Sequence, residues 1–149
     1  MTMASVVTNR GKYRILGLFF RALAAPANIY AVLCTSAVAP VADTNTLSEL
    51  TQITGGTGYT TDGMALARNS TDFDVLTEDD VNDRALVQAK DLVWTGSGGN
   101  VGPARWMAFT DDNVTPAVRD VLAGFDLVSD RTVSDTQSLT LQNAEVRLT

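Results

Sequence analysis

Histidine is missing from the 149 residues, cysteine occurs once, proline occurs four times, and no acidic residue precedes Asp43. The first absence removes the commonest general base and the commonest metal ligand together. Neither Ser-His-Asp nor Cys-His catalysis, nor zinc hydrolysis on histidine ligands, can be assembled within this chain. With Cys34 alone no intrachain disulfide can form. Set inside the apolar run NIYAVLCT, its thiol reads as a small buried hydrophobe, as suits a protein assembled in a reducing cytoplasm. No apolar run approaches the roughly 18 residues of a membrane-spanning helix, so no membrane partner is expected.

What is present is a globular composition, 45% hydrophobic and 19% charged, in a length that fits one domain with a core of its own. The net charge of −6 is unevenly placed, because Arg10, Lys12, Arg14 and Arg21 all come before the first carboxylate. An acidic bulk argues against nucleic acid, whose phosphates need a basic face. The basic amino-terminal segment suits an acidic protein surface instead.

Residues 1–8 carry no pattern and read as an arm that frays unless a partner holds it. From Asn9, a plausible N-cap, Tyr13, Leu16, Phe20 and Leu23 recur at spacings of three and four. They predict an amphipathic helix over 9–24, stopped by Pro26, whose apolar side covers one end of the domain. A secretory signal is the rival reading of ILGLFFRALAA. Arg21 interrupts it, and its apolar centre of about six residues falls short of the roughly 7–15 required.

NIYAVLCT, residues 28–35, predicts a central strand buried on both faces. Thr46 and Glu49 have capping-box spacing and predict a short helical turn. Thr54–Tyr59 (TGGTGY) lacks the Gly-Lys-Ser/Thr ending of a phosphate loop and reads as a tight turn or bulge into a strand over 59–66. Residues 85–95 predict one long strand reaching the core at Leu92–Trp94, and Gly96–Asn100 a loop. Further strands are expected at 104–110, 121–127, 139–141 and 146–148, with turns at Asp111–Asn113 and Ser129–Arg131 and a bend at Asn143–Ala144. Short strands at this spacing, without a long helix after residue 54, predict a mainly β fold: an antiparallel β-sandwich, jelly-roll or Ig-like. The organisation expected is an arm over 1–8 and a single domain over 9–149.

The chemically suggestive stretch is acidic. Asp72, Asp74, Glu78, Asp79, Asp80 and Asp83 lie within twelve positions. Asp72, Asp74, Asp79, Asp80 and Asp83 are a candidate calcium set, since hard oxygens cluster around that ion. Their spacing does not match an EF-hand, and a solvated loop meeting a basic surface is the preferred reading. No catalytic pair of carboxylates across a cleft is evident, so no enzyme activity and no cofactor are expected. Candidate partner-binding residues are Arg10, Lys12, Arg14 and Arg21 on the basic side and Asp79, Asp80 and Asp83 on the acidic side. Trp94 reads as core or interface.

Several segments in order, GKYRILGLFFRAL, NIYAVLCTSA, TLSELTQI, GTGYTTDGMAL, DFDVLTEDDVNDRALVQAKDLVWT, ARWMAFTDDN and SLTLQNAEVRLT, resemble small structural proteins of tailed bacteriophages. The resemblance runs from about Gly11 to the end and implies a β-sandwich virion component without catalytic residues. Its first implication is a capsid decoration or cement protein. Such a protein self-associates, with a trimer as the candidate order, seats on the major capsid protein, and resides on the capsid surface after synthesis in the host cytoplasm. The alternatives are a tail or tail-fibre component whose Tyr59, Trp94 or Trp106 touches host glycans, and a calcium-dependent carbohydrate-binding module centred on residues 72–83. The short SGGNVGP loop departs from the fuller loop expected of such proteins before the ARWMAF strand.

Overall fold

The structure, a computed structural model, describes residue 3 and residues 5–149. Asn28–Cys34 form strand β2, and its alternation explains the centre of the fold. Ala31 and Leu33 enter the main core, while Val32 and Cys34 enter a second cluster with Leu47, Leu50, Ala108 and Val121. β2 is therefore buried on both faces, as its continuous apolar run predicts. Thr46 and Glu49 set the short 3-10 turn Leu47–Glu49 that covers the outer face. The Thr46 amide donates to the Glu49 carboxylate at 2.9 Å, and the Glu49 amide donates to the Thr46 carbonyl at 3.0 Å.

The remaining elements are β1 (Ser5–Val7), helix α1 (Asn9–Phe20), β3 (Met64–Ala67), β4 (Val75–Asp79), β5 (Arg84–Ala89), β6 (Leu92–Thr95), β7 (Val101–Thr110), β8 (Val121–Val133), β9 (Ser138–Leu141) and β10 (Ala144–Leu148). All ladders between them are antiparallel. One sheet has the order β1-β8-β7-β2-β3, a second β10-β5-β4, and a third pairs β6 with β9. The main core lies between the large sheet and the two smaller ones. It joins Phe109 and Phe125 of the first to Leu92, Trp94, Leu139 and Leu141 of the third and Ala89 and Ala144 of the second. The fold is thus a mainly β, antiparallel sandwich with one amino-terminal helix. No described helix is long and apolar enough to cross a membrane.

Several boundaries differ from expectation, among them the strand expected over 59–66, which is only β3 at Met64–Ala67. The arm from Ser5 onward is not loose, because β1 pairs with β8 through Ser5↔Phe125 and Val7↔Ala123, and Met3 is buried. Residues 1, 2 and 4 lie outside the described ones. The helix cap is Thr8, one residue earlier than Asn9: its Oγ1 accepts from the Gly11 amide at 2.8 Å and donates to the Val121 carbonyl at 2.5 Å. The helix stops at Phe20, well before Pro26. The amides of Arg21 and Leu23 both donate to the Gly17 carbonyl, and Ala22 takes a positive φ of 52°. The expected strand 85–95 is two strands in different sheets, broken at Lys90, whose amide donates to the Asp72 carbonyl at 3.0 Å. Finally, Ser129–Arg131 is not a turn, since β8 continues to Val133 and pairs Arg131 with Ala104.

Candidate functional site

α1 docks on the large sheet by its smallest residue. A side chain at Gly11 would overlap the Leu122 carbonyl oxygen, so the helix backbone lies directly against β8. This contact decides which face is covered. At about 100° per residue, Gly11, Arg14 and Leu18 cluster on the covered side, and Tyr13, Leu16, Phe19 and Phe20 all lie more than about 100° round from its centre. The apolar face expected to cap the domain is therefore turned to solvent. Tyr13 is 56% exposed, Leu16 57%, Phe19 83% and Phe20 73%, and the two phenyl rings stand edge to face at 5.2 Å. Apolar patches of this kind mark interaction surfaces.

The basic residues of the helix divide into two groups. The Arg10 guanidinium donates to Asp120 at 2.7 Å, and Arg14 lies 3.7 Å from the same carboxylate while donating to the Ala24 carbonyl. Lys12 and Arg21 are exposed and form no ion pair among the described residues.

The acidic stretch is not one loop. Asp72 ties down the residues before β4 by accepting from the Ala67 amide at 2.7 Å and pairing with Lys90. That hydrogen bond from Lys90 and the Ala67 amide lower its carboxyl pKa. Val75–Asp79 then extends as β4, an edge strand about 16 Å long that separates Asp72 from the tip. At the tip Asp79 accepts from Asn82 and from Arg84 at 2.8 Å, which lowers its pKa and closes the β4–β5 turn. Asp83 sits at a φ of 48°. Asp74, Glu78, Asp80 and Asp83 form no ion pair among the described residues and are exposed. The calcium candidates are thus split between the two ends of β4, and the described residues contain no group of three His, Cys, Asp or Glu placed to hold a metal ion. Leu76, 81% exposed, and Val81, 91% exposed, add apolar contact area to the acidic tip.

Between α1 and the two larger sheets opens an apolar cleft of about 520 Å³, walled by Ile15, Leu18, Phe73, Leu76, Phe109 and Val146. Leu76 also borders a shallow groove with Glu78, Asp80 and Asp83. Its side chain is therefore the junction between apolar cleft and acidic tip.

The aromatic residues considered for glycan contact are placed otherwise. Tyr59 and Trp94 are core residues; the Tyr59 hydroxyl accepts from the Leu33 amide and donates to Gln52, each at 3.2 Å. Burial raises the pKa of that hydroxyl and pushes the Cys34 thiol up to about 12, so neither is poised to react. Trp106 is half-buried with the Arg105 guanidinium 4.3 Å from its ring.

Sequence reasoning missed a polar knot under α1. Asp111 is buried beside Asp120 and accepts from the amides of Asn113 and Asp120; nearby Arg119 lies 3.9 Å over the Tyr30 ring. Burial raises the Asp111 pKa, against the opposing effect of those amides. A carboxyl whose pKa rises on folding favours the folded state below its unfolded pKa, and that contribution is lost as pH climbs through the folded value. Asp111→Asn keeps an acceptor for both amides without the buried charge. It is expected to match or exceed the native stability at pH 7, by under about 1 kcal/mol, and to flatten the stability profile above pH 4 in urea titrations. A loss above about 2 kcal/mol would mean that the charge itself holds the knot.

No family model, curated protein or solved structure matches the chain.

Proposed function

We propose that this chain is a structural protein of a tailed-phage virion, a capsid decoration or cement protein that self-associates and seats on the major capsid protein of the shell. The observation that carries the reading is the helix face: Tyr13, Leu16, Phe19 and Phe20 stand in solvent on an otherwise well-packed sandwich. Exposed aromatic surface beside Lys12 and Arg21, which form no ion pair among the described residues, suits a protein that meets other proteins. The ordered resemblance of its segments to small virion proteins supplies the setting. Binding only the assembled lattice stabilises the shell by mass action, and many copies make modest contacts sufficient.

The test is the copy number and position of the chain in its intact particle, from quantitative mass spectrometry and a particle map. Hundreds of copies on the head surface are expected, together with particles that release DNA at lower temperature when the chain is removed. A handful of copies at the tail would replace this reading with a tail component. Absence from the particle would end both.

A further inference from the structure

The same chain carries a protruding apolar group and an apolar recess that are not filled by each other. Phe19 and Phe20 stand at the carboxyl end of α1, 83% and 73% exposed, next to the exposed Arg21. The cleft of about 520 Å³ is walled by other residues of that helix, Ile15 and Leu18, together with Phe73, Leu76, Phe109 and Val146. Its size lies in the range of recesses that accept bulky apolar groups. Neither Phe19 nor Phe20 lines the cleft of its own chain, and both rings stand in solvent.

Charge selects the occupant. The four basic residues of positions 10–21 have no acidic neighbour in the sequence before Asp43, while positions 72–83 hold six acids and no base. Within these two segments the charges left without an internal ion pair among the described residues are Lys12 and Arg21 on one side and Asp74, Glu78, Asp80 and Asp83 on the other. Glu78, Asp80 and Asp83 share a groove with Leu76 and with Arg84, whose guanidinium is paired to Asp79; Leu76 also lines the cleft, which Arg14 and Arg68 border as well. An occupant with two adjacent aromatic rings followed by a cation would meet the apolar wall and the acidic rim together. The Phe19-Phe20-Arg21 end of this helix has that chemistry.

We infer that a second copy of this chain occupies the cleft: Phe19 and Phe20 of one copy enter the recess beside Leu76 of the next, and Arg21 faces Glu78, Asp80 and Asp83. Donor and acceptor are different patches. The contact is therefore made reciprocally in a two-fold dimer or head to tail in a closed ring. The acids on the β4 edge oppose direct pairing of one β4 with another, which leaves the helix as the element that covers this side. The inference rests on the assembly reading above for its purpose, but its test uses the purified chain alone. Failure here leaves the particle experiment standing, and failure there leaves this contact standing.

Two variants divide the contact: Phe19→Ser with Phe20→Ser removes the donor, and Leu76→Lys blocks the acceptor. All three side chains are exposed, so both variants should retain the native circular dichroism and unfolding midpoint. By sedimentation velocity the native chain is expected to be oligomeric, and each variant alone to dissociate at least about tenfold more readily. An equimolar mixture of the two should recover a complex, because one intact donor then meets one intact acceptor. As a second measurement, Arg21→Glu should weaken assembly and the added pair Asp80→Lys, Asp83→Lys should restore it. A native chain that stays monomeric, variants that assemble as well as the native chain, or a mixture and a charge reversal that both fail to recover would each overturn the inference. So would a monomer whose cleft instead takes up an apolar fluorescent dye with no effect of Phe19 and Phe20.

Discussion

Gly11→Ala is expected to destabilise the protein by about 1–3 kcal/mol, lowering the unfolding temperature by about 3–10 °C. The sign is the informative part. In a helix whose glycine faces water, alanine is the better residue by about 0.5–1 kcal/mol. Here the added Cβ would overlap the Leu122 carbonyl oxygen and crowd its carbon and Cα. Those are backbone atoms inside a paired strand, and the same carbonyl also accepts the Thr8 amide at 3.1 Å. It cannot turn away without releasing the start of α1. Gly11→Val, larger and β-branched, should cost more than alanine and lift the helix from β8. Urea and thermal unfolding of the two variants check this. If alanine stabilises, α1 does not lie against β8 at this point, and the cleft walled by Ile15 and Leu18 loses its lid.

That glycine also explains why the amino-terminal segment was only half legible. Spacing of Tyr13, Leu16 and Phe20 correctly identifies a helix with an apolar side, but periodicity carries no information on which side meets the fold. The decision is made by contact distance: a glycine admits closer approach than any apolar side chain, and Gly11 turns the aromatic side outward. The glycine opposite the aromatic face was the available signal. Gly17 acts similarly at the other end, since it leaves room for Leu23 to fold back over it and ends the helix before Pro26 is reached.

Elsewhere legibility followed burial. The Ala31–Cys34 half of β2 is buried and the Val121–Leu127 part of β8 mostly so, and their apolar runs or alternation declare them. β4 reads as loop in the sequence because VLTED has only two apolar residues in five, and in the fold it has one paired neighbour, β5. An edge strand can leave most of its side chains in water, so hydrophobic pattern is weak there. The break between β5 and β6 was equally hidden. Lys90 joins Asp72 through both main chain and side chain, a contact eighteen residues distant that local spacing cannot display. Of the candidate site, the charge asymmetry was readable, whereas the split of the acids by β4 and the solvent position of Phe19, Phe20 and Leu76 required the tertiary arrangement.

Phe125→Ala should be the most damaging single change in the core, at about 3–5 kcal/mol. Phe125 is fully buried in β8, opposite Ser5 of β1 and Met107 of β7. Its ring meets Phe109 edge to face at 4.9 Å, and Phe109 meets Phe73 at 6.0 Å in the same manner. The three rings link the large sheet to the segment that leads into β4, so loss of the first leaves a cavity whose walls are strands held by their own ladders. Such walls collapse little, which places the cost toward the upper part of the range. Aromatic coupling adds about 0.5–1.5 kcal/mol to the area term, and a double-mutant cycle with Phe109→Leu should recover a coupling of that size. The contrast with Leu76→Lys separates folding from assembly. Phe125→Ala should lower the unfolding midpoint in proportion to ring burial, whereas the exposed Leu76 should change stability by no more than about 0.5 kcal/mol while altering self-association. A cost below about 1 kcal/mol for Phe125→Ala would show that the rings are not packed as a unit, and with them the wall that Phe73 and Phe109 give to the cleft.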